Sequence, residues 1–136
     1  MIEKTLQATL ENVPAATAFI EAALEEAGCS MKAQMQIDVA IDELFANIAR
    51  YAYQEGSGTV TFRLETMDNP LRILLTFIDD GMPYNPLEKE MPDTTSLPAN
   101  KRPIGGLGLF MVKKTMDSVT YSYEKGKNIL SILKIL

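Results

Sequence analysis

Apolar residues in the first half of the chain alternate at first and then recur at helical spacing. Ile2, Leu6, Ala8 and Leu10 share one face of residues 2–11, which predicts a half-buried strand. The stretch "NVPAATAFIEAALEEAG" predicts a helix that has Asn12 as N-cap, Pro14 in its first turn and Gly28 at its C-terminal end. A longer helix with a buried face is predicted from near Ser30 to about Gln54.

The second half of the chain predicts two hairpins with a helix between them. "TVTFRLETM" (59–67) and "LRILLTFID" (71–79) join at "DNP", and "SVTYSYEKG" and "NILSILKIL" turn at "GKN". The third helix is predicted at about 107–117. Before it lies an irregular segment, 80–104, which holds five of the seven prolines, and loops of this length are usually functional or mobile.

This order of elements, β-α-α-β-β-loop-α-β-β, predicts an α+β fold. We expect a two-layer α/β sandwich with a mixed, mainly antiparallel sheet and helices on one face. No alternating βαβ units of a dinucleotide-binding fold are present in the pattern. We expect all 136 residues to form one domain.

Composition excludes several classes of function. The net charge of −5 leaves no evident basic face, so no direct nucleic-acid partner is expected. The first residues lack a signal-peptide pattern and the longest apolar stretch is too short to span a bilayer, so we expect no membrane partner and a cytoplasmic location. The chain contains no histidine and one cysteine, which rules out histidine-dependent catalysis and a zinc site built from nitrogen and sulfur ligands. Catalysis would depend on carboxylates, amides, backbone groups and a hard cation such as Mg²⁺.

A first polar cluster lies in the second predicted helix. Glu43 and Asn47 are four residues apart, Arg50 lies about one turn further along, and all three are expected beside the apolar stripe. Glu43 can accept a proton, and Asn47 can offer its carbonyl oxygen to Mg²⁺. The alternative is a polar helix flank with an Arg-to-Glu contact, which is the commoner arrangement. Asp38 and Asp42 are interpreted as solvated surface.

A second cluster, "IDDGMPYNP" at 78–86, follows an apolar strand. Asp79 at the strand end can accept a hydrogen bond from an amino group such as that of adenine, and Gly81 leaves room for a flat ring. The alternative is an ordinary Asp-Gly turn.

A third cluster is "IGGLGLFMVKKTMD" (104–117), where Gly105, Gly106 and Gly108 precede or open a helix. Backbone N–H groups at a helix start bind anions, and Lys101 and Arg102 just upstream can add positive charge. The alternative is a tight loop packed on a helix. The absence of a following Lys-Ser/Thr excludes a Walker A loop.

The three clusters, in this order, resemble the motifs of the Bergerat-fold ATPases, the superfamily of gyrase and the sensor histidine kinases. Within it the chain is most similar to the single-domain, RsbW-like anti-sigma-factor serine/threonine kinases. "AIDELFANIARYAY" resembles the N-box, "IDDGMPYNPL" the adenine box, "GGLGLFMVKKTMDSVTY" the glycine box and "GKNILSILK" the closing hairpin. Tyr51 stands where many relatives have histidine, and Asn85 stands where aspartate is frequent.

The resemblance implies binding of ATP with Mg²⁺. Glu43 would be the general base for a serine hydroxyl of a partner, Asn47 would ligate Mg²⁺, and Asp79 would take the adenine amino group beside Gly81. The phosphates would be held at Gly106 and Gly108 under a lid formed by about 82–104. The remaining residues that the resemblance assigns to the nucleotide site are Arg50, Pro83, Lys101, Arg102, Gly105, Leu107 and Leu109.

Two functions follow from this resemblance. The first is a kinase that phosphorylates a small anti-anti-sigma antagonist protein and sequesters a sigma factor, and the resemblance also implies a homodimer. The alternative is a nucleotide-controlled protein-binding module of the same fold with little or no kinase activity.

Overall fold

The computed structural model describes residues 1–53, 58–88 and 106–136. Within them the element order agrees with the prediction. The elements are β1 (Ile2–Gln7), α1 (Val13–Glu26), α2 (Met31–Asn47), β2 (Thr59–Met67), β3 (Arg72–Asp79), α3 (Gly106–Thr115), β4 (Ser118–Glu124) and β5 (Lys127–Ile135).

The five strands form one sheet in the order β1-β2-β3-β5-β4. All four pairings between these strands are antiparallel, so the expected α+β sandwich is confirmed, and its sheet is antiparallel rather than mixed. β3 is central and pairs with β2 and β5. Its register sets Asp79, the last residue of β3, opposite Asn128 of β5.

The core lies between the sheet and the helices. Inward side chains of β3 alternate with half-buried ones, and Ile73, Leu75 and Phe77 are almost fully buried. They pack in one cluster with Ile20 of α1 and Leu44 of α2. Burial of each large apolar side chain contributes roughly 1.5–3 kcal/mol, which fixes α2 and β3 relative to each other.

The N-terminal strand is shorter and more exposed than the prediction. β1 ends at Gln7, and a 3-10 turn at Leu10–Asn12 leaves Leu10 51% exposed. β1 pairs only with β2 at the edge of the sheet, so little of its surface meets the core. Asn12 is the N-cap residue of α1, but its side chain donates to the carbonyl of Gln7 instead of capping the helix.

The second helix begins as predicted and ends differently. Ser30 caps α2 by accepting a hydrogen bond from the Ala33 N–H at 3.2 Å. The α-helix ends at Asn47 and continues as a π-helical turn, Ile48–Ala52. A π-turn changes the angular spacing of side chains, and Arg50 in this turn is exposed instead of lying at the core margin.

Two smaller expectations also need correction. Asp38 is not solvated surface: its Oδ1 is buried, and burial together with a side-chain hydrogen bond to Glu21 raises the pKa of Asp38 to about 7. The last hairpin turns at Lys125 and Gly126, which both have positive φ, one residue earlier than the "GKN" interpretation.

No helix in the described part of the chain is both long and apolar enough to cross a membrane. The predicted lid, about 82–104, lies mostly outside the described residues. The structure shows its first part, through Glu88, including a short 3-10 turn at Pro86–Glu88.

Candidate functional site

Glu43 and Asn47 lie near the C-terminal end of α2 at the border of the core. Glu43 is half-buried and Asn47 is buried, with 9% of its surface exposed. The Asn47 amide Nδ2 lies 3.5 Å from Glu43 Oε1, at the long limit for a hydrogen bond. This contact directs the amide nitrogen of Asn47 at the carboxylate and leaves its carbonyl oxygen on the other side.

The glycine-rich start of α3 lies against the Glu43 carboxylate. A Cβ atom at Gly108 would lie 2.3 Å from Glu43 Oε2, so only glycine fits there without moving Glu43. Leu109 is 3% exposed and holds the first turn of α3 on the core. The free N–H groups of a helix start attract anions. The structure therefore places a carboxylate beside the first turn of α3.

Asp79 ends β3 as a buried carboxylate that is 4% exposed. Its Oδ1 accepts hydrogen bonds from the Gly81 N–H at 2.9 Å and from Asn128 Nδ2 at 2.9 Å. Burial raises the pKa of Asp79, although both hydrogen bonds favour the ionised form. Asp79 lies at the end of a strand, as predicted, but this strand is the central one, so the residue is not at the edge of the sheet.

Gly81 is required by the chain's own backbone. A Cβ atom at Gly81 would lie 2.4 Å from the carbonyl oxygen of Ala52, and the next residue, Met82, donates its N–H to the same oxygen at 3.0 Å. These contacts tie the loop after β3 to the π-helical turn. The room for a flat ring beside Gly81 stays a prediction.

Asn128 is a buried site residue that sequence reasoning missed. Its Nδ2 donates to Asp79 Oδ1 and, at 2.9 Å, to the carbonyl of Met82, and its Oδ1 accepts from the Tyr84 N–H at 3.1 Å and from the Tyr121 hydroxyl. Asn128 also lies 3.4 Å from the Gly81 carbonyl oxygen. The available clue was a polar residue at an inward position of an apolar strand.

A cavity of about 20 Å³ lies between α2, the loop and the sheet. This volume holds about one water molecule. The Tyr84 ring lines the cavity and stacks on Tyr51, with ring centroids 5.0 Å apart. Entry of a purine would require Tyr84 and its surroundings to move. The lining residues are Leu44, Asn47, Ile48, Ala52, Asp79, Tyr84, Pro86, Tyr121, Asn128 and Leu130.

The structure thus brings together residues from all three predicted clusters. Asn47 and Asp79 share the cavity wall, and Glu43 meets Gly108. Arg50 and Pro83 are exposed. Gly106 opens α3. Lys101, Arg102 and Gly105 lie outside the described residues, as does the side chain of Leu107.

The side-chain oxygens of Asn47 and Glu43 suit a hard cation that is also bound by a nucleotide. In the described part of the chain, no group of three or more His, Cys, Asp or Glu side chains is placed to hold a metal ion. Mg²⁺ in ATP-dependent sites is usually bound by one or two protein oxygens plus phosphates and water. Asn47, with Glu43 next to it, fits that pattern.

The fold is an antiparallel sheet covered on one face by helices, with a carboxylate, an amide and a helix start at one end. The profile of the histidine kinase-like ATPase domain family matches residues 6–134. The chain belongs to this family. Within the family it is RsbW-like: it is 28% identical over 93 residues to the serine-protein kinase RsbW of Bacillus thuringiensis (strain Al Hakam) and to that of Bacillus cereus (strain 03BB102).

Each of these alignments covers 68% of this chain and 58% of the relative. The chain therefore matches little more than half the length of these curated relatives. Among solved structures, the RsbU and RsbW domains of Rv1364c from Mycobacterium tuberculosis match at a TM-score of 0.64 and 16% identity, over 100% of this chain and 33% of that one. The histidine kinase domain from the Erythrobacter litoralis EL346 blue-light activated histidine kinase matches at 0.52 and 19%, over 76% of this chain and 44% of that one. At these identities the structures support the fold alone.

Proposed function

We propose that this protein binds Mg-ATP between α2, the loop after β3 and the start of α3, and transfers the γ-phosphoryl group to a serine or threonine of a partner protein. The partner would be a small anti-anti-sigma antagonist, and the protein would also sequester a sigma factor. The proposal rests on membership of the family, on the RsbW relatives and on the site geometry.

The observation that carries the kinase part is the contact between Glu43 and Gly108. Since a Cβ atom would lie 2.3 Å from Glu43 Oε2, the carboxylate sits against the helix start where phosphates would bind. A module that only bound nucleotide would gain nothing from a carboxylate there, because its negative charge repels phosphate.

The transfer would need little covalent chemistry from the protein. Glu43 would take the proton of the partner's hydroxyl as its oxygen forms a bond to the γ-phosphorus. The bond from that phosphorus to the β,γ-bridging oxygen would break, and ADP would leave. Asn47 would hold Mg²⁺, which neutralises phosphate charge during such a transfer.

At the base end of the nucleotide, Asp79 would accept a hydrogen bond from the adenine amino group. Residues 82–104 would close over ATP as a lid, with Lys101 and Arg102 adding positive charge near the phosphates. We also infer that residues 1–136 act as a single domain, that the protein is a homodimer and that it works in the cytoplasm.

The test is phosphate transfer from labelled ATP to a serine-bearing antagonist protein by wild type and Glu43→Gln. The amide keeps the size of Glu43 but cannot take a proton at neutral pH. Removal of a general base should lower the rate by roughly 10²–10⁴-fold. Affinity for ATP should change little, because Asn47 holds the metal in this proposal.

Equal rates for the two proteins would show that Glu43 is not the base. If the wild type binds ATP and the antagonist but never transfers phosphate, the protein is a nucleotide-controlled binding module. Calorimetry that shows no ATP binding in the presence of Mg²⁺ would overturn both versions.

A further inference from the structure

We propose that Asn128 is a positioning residue that fixes the Asp79 carboxylate and joins it to the loop backbone at residues 81–84. This inference rests on the proposed function, because it takes Asp79 as the acceptor for the nucleotide base. Its structural half, the link between β5 and the loop, can be tested without nucleotide.

The hydrogen-bonding capacity of Asn128 is fully used within the protein. A carboxamide has two N–H donors and one oxygen with two lone pairs. The donors go to Asp79 Oδ1 and the Met82 carbonyl, and the oxygen accepts from the Tyr84 N–H and the Tyr121 hydroxyl. Asn128 therefore has no group to offer a ligand, and its effect on binding must pass through its partners.

The first of these partners is Asp79. Both hydrogen bonds described for its side chain end on Oδ1, one from Asn128 and one from the Gly81 N–H. This arrangement assigns the other oxygen, Oδ2, to a ligand amino group. The Asn128 amide holds the carboxylate plane so that Oδ2 keeps one direction.

The second set of partners is the loop. Met82 and Tyr84 are bonded through their backbones to the same amide, so a side chain of β5 holds both ends of this short segment. Tyr84 lines the small cavity, and its ring must move for a purine to enter. When the cavity opens, the hydrogen bonds from Asn128 to Met82 and Tyr84 therefore either break or move with the loop.

Few charged groups surround this network. Asp80 raises the pKa of Asp79 and forms an ion pair with Lys127 at 2.6 Å. Among the described residues, the hydroxyls of Tyr53, which accepts the Asp80 N–H, of Tyr121 and of Tyr84 also lie near the network. The Asn128 amide and the Gly81 N–H are thus the neutral donors that stabilise the buried Asp79 carboxylate.

The decisive variant is Asn128→Asp, and Asn69→Asp is its matched control. The control makes the same isosteric change and adds the same charge at an exposed position in the turn between β2 and β3, outside the proposed nucleotide site. At pH 8, Asn128→Asp sets two carboxylates against each other and should weaken ATP binding at least about tenfold relative to the control.

Lowering the pH should reverse this loss. Two carboxyl groups in contact share one proton, and the shared proton restores a donor to Asp79. The ATP dissociation constant of Asn128→Asp, divided by that of the control, should therefore fall as the pH falls from 8 to 6. The titration of ATP affects both constants equally and cancels in this ratio. A ratio that does not change with pH, or no weakening at pH 8, would refute the positioning role.

A second variant guards against failure to fold. The side chain of Asn128→Ser is too short to reach Met82 and Tyr84, so this variant removes both loop bonds without adding a charge. In the nucleotide-free Asn128→Ser protein, hydrogen exchange at the Tyr84 amide should be at least tenfold faster than in Asn69→Asp. Unchanged exchange would overturn the link between β5 and the loop. If the wild type binds no ATP, the proposed function fails, and the exchange result still decides whether Asn128 holds the loop.

Discussion

Replacing Gly108 by alanine tests whether the Glu43 carboxylate must stay where the structure places it. The new methyl carbon would lie 2.3 Å from Glu43 Oε2 and 2.8 Å from Cδ. Ordinary contacts between such atoms begin at about 3.4 Å, so the carboxylate must retreat by roughly 1 Å. Glu43 is a flexible side chain, and it can move without the backbone of α2 or α3 following.

The effect on stability should be small because two contributions oppose each other. Alanine in place of glycine within a helix stabilises by roughly 0.5–1 kcal/mol. An off-rotamer Glu43 costs about 0.5–1.5 kcal/mol. The melting temperature of Gly108→Ala should therefore stay within roughly 5 °C of the wild type.

The effect on catalysis should be much larger. A displacement of about 1 Å in a group that must meet the reacting hydroxyl can lower the rate about 10²-fold. The assay is single-turnover transfer from labelled ATP to a serine-bearing antagonist, with the ATP dissociation constant measured in parallel. We expect the rate to fall and the dissociation constant to change by less than the rate does.

A double-mutant cycle identifies the cause. In a Glu43→Ala background the base is already gone, so Gly108→Ala should lower the rate no further. If Gly108→Ala weakens ATP binding and transfer equally in both backgrounds, the methyl group obstructs the phosphates and not Glu43. A well-folded Gly108→Ala protein with wild-type transfer would refute the reasoning.

Two further predictions concern the metal and the pH dependence of stability. Asn47→Ala should reduce both transfer and the gain in ATP affinity that Mg²⁺ provides, as measured by calorimetry with and without Mg²⁺. Gln34→Ala, which removes an amide near the other end of α2, is the control. A gain for Asn47→Ala equal to that of the wild type would show that Asn47 is not a ligand. The pKa of Asp38 is raised from 3.8 to about 7, so between these values the folded state holds a proton that the unfolded state releases. Stability from this group is therefore lost as the pH rises through this range. Asp38→Asn should raise the melting temperature more at pH 8 than at pH 5, and the same change at exposed Asp68 is the control. An equal shift at both pH values would contradict the raised pKa.

The sequence was sufficient for the architecture because periodicity and turn residues agree along most of the chain. The hairpin of β2 and β3, the start of α2 near Ser30 and the start of α3 at the glycines all follow from short-range patterns. β1 was predicted too long because alternation does not show whether a strand is central or at the edge. The π-turn after Asn47 depends on tertiary contacts between Ala52 and the loop at Gly81 and Met82.

The positions of the site residues were predictable from the sequence only where they depend on a single helix or strand. Glu43 and Asn47 share a helix, and Asp79 ends a strand, so their positions follow from local spacing. The contact between Glu43 and Gly108 joins elements more than sixty residues apart and needs the packing of α3 on α2. The buried environment of Asp38 likewise depends on Glu21 of α1, which no local pattern relates to it.

Asn128 shows most clearly why the rest required a structure. In "NILSIL" the asparagine lies on the inward face of the strand, together with Leu130 and Ile132. A single polar residue on such a face does not by itself indicate its partner. Asp79 is the same kind of exception in β3. The two exceptions explain each other only when β5 lies beside β3 in the register that sets Asn128 opposite Asp79. That pairing crosses from one hairpin to the other, so neither hairpin contains the information. Burial of two polar side chains is costly unless each satisfies the other. The pair therefore favours this register of β3 and β5 over shifted registers. The same hydrogen bond between Asn128 and Asp79 orients the carboxylate on which recognition of the nucleotide base would depend.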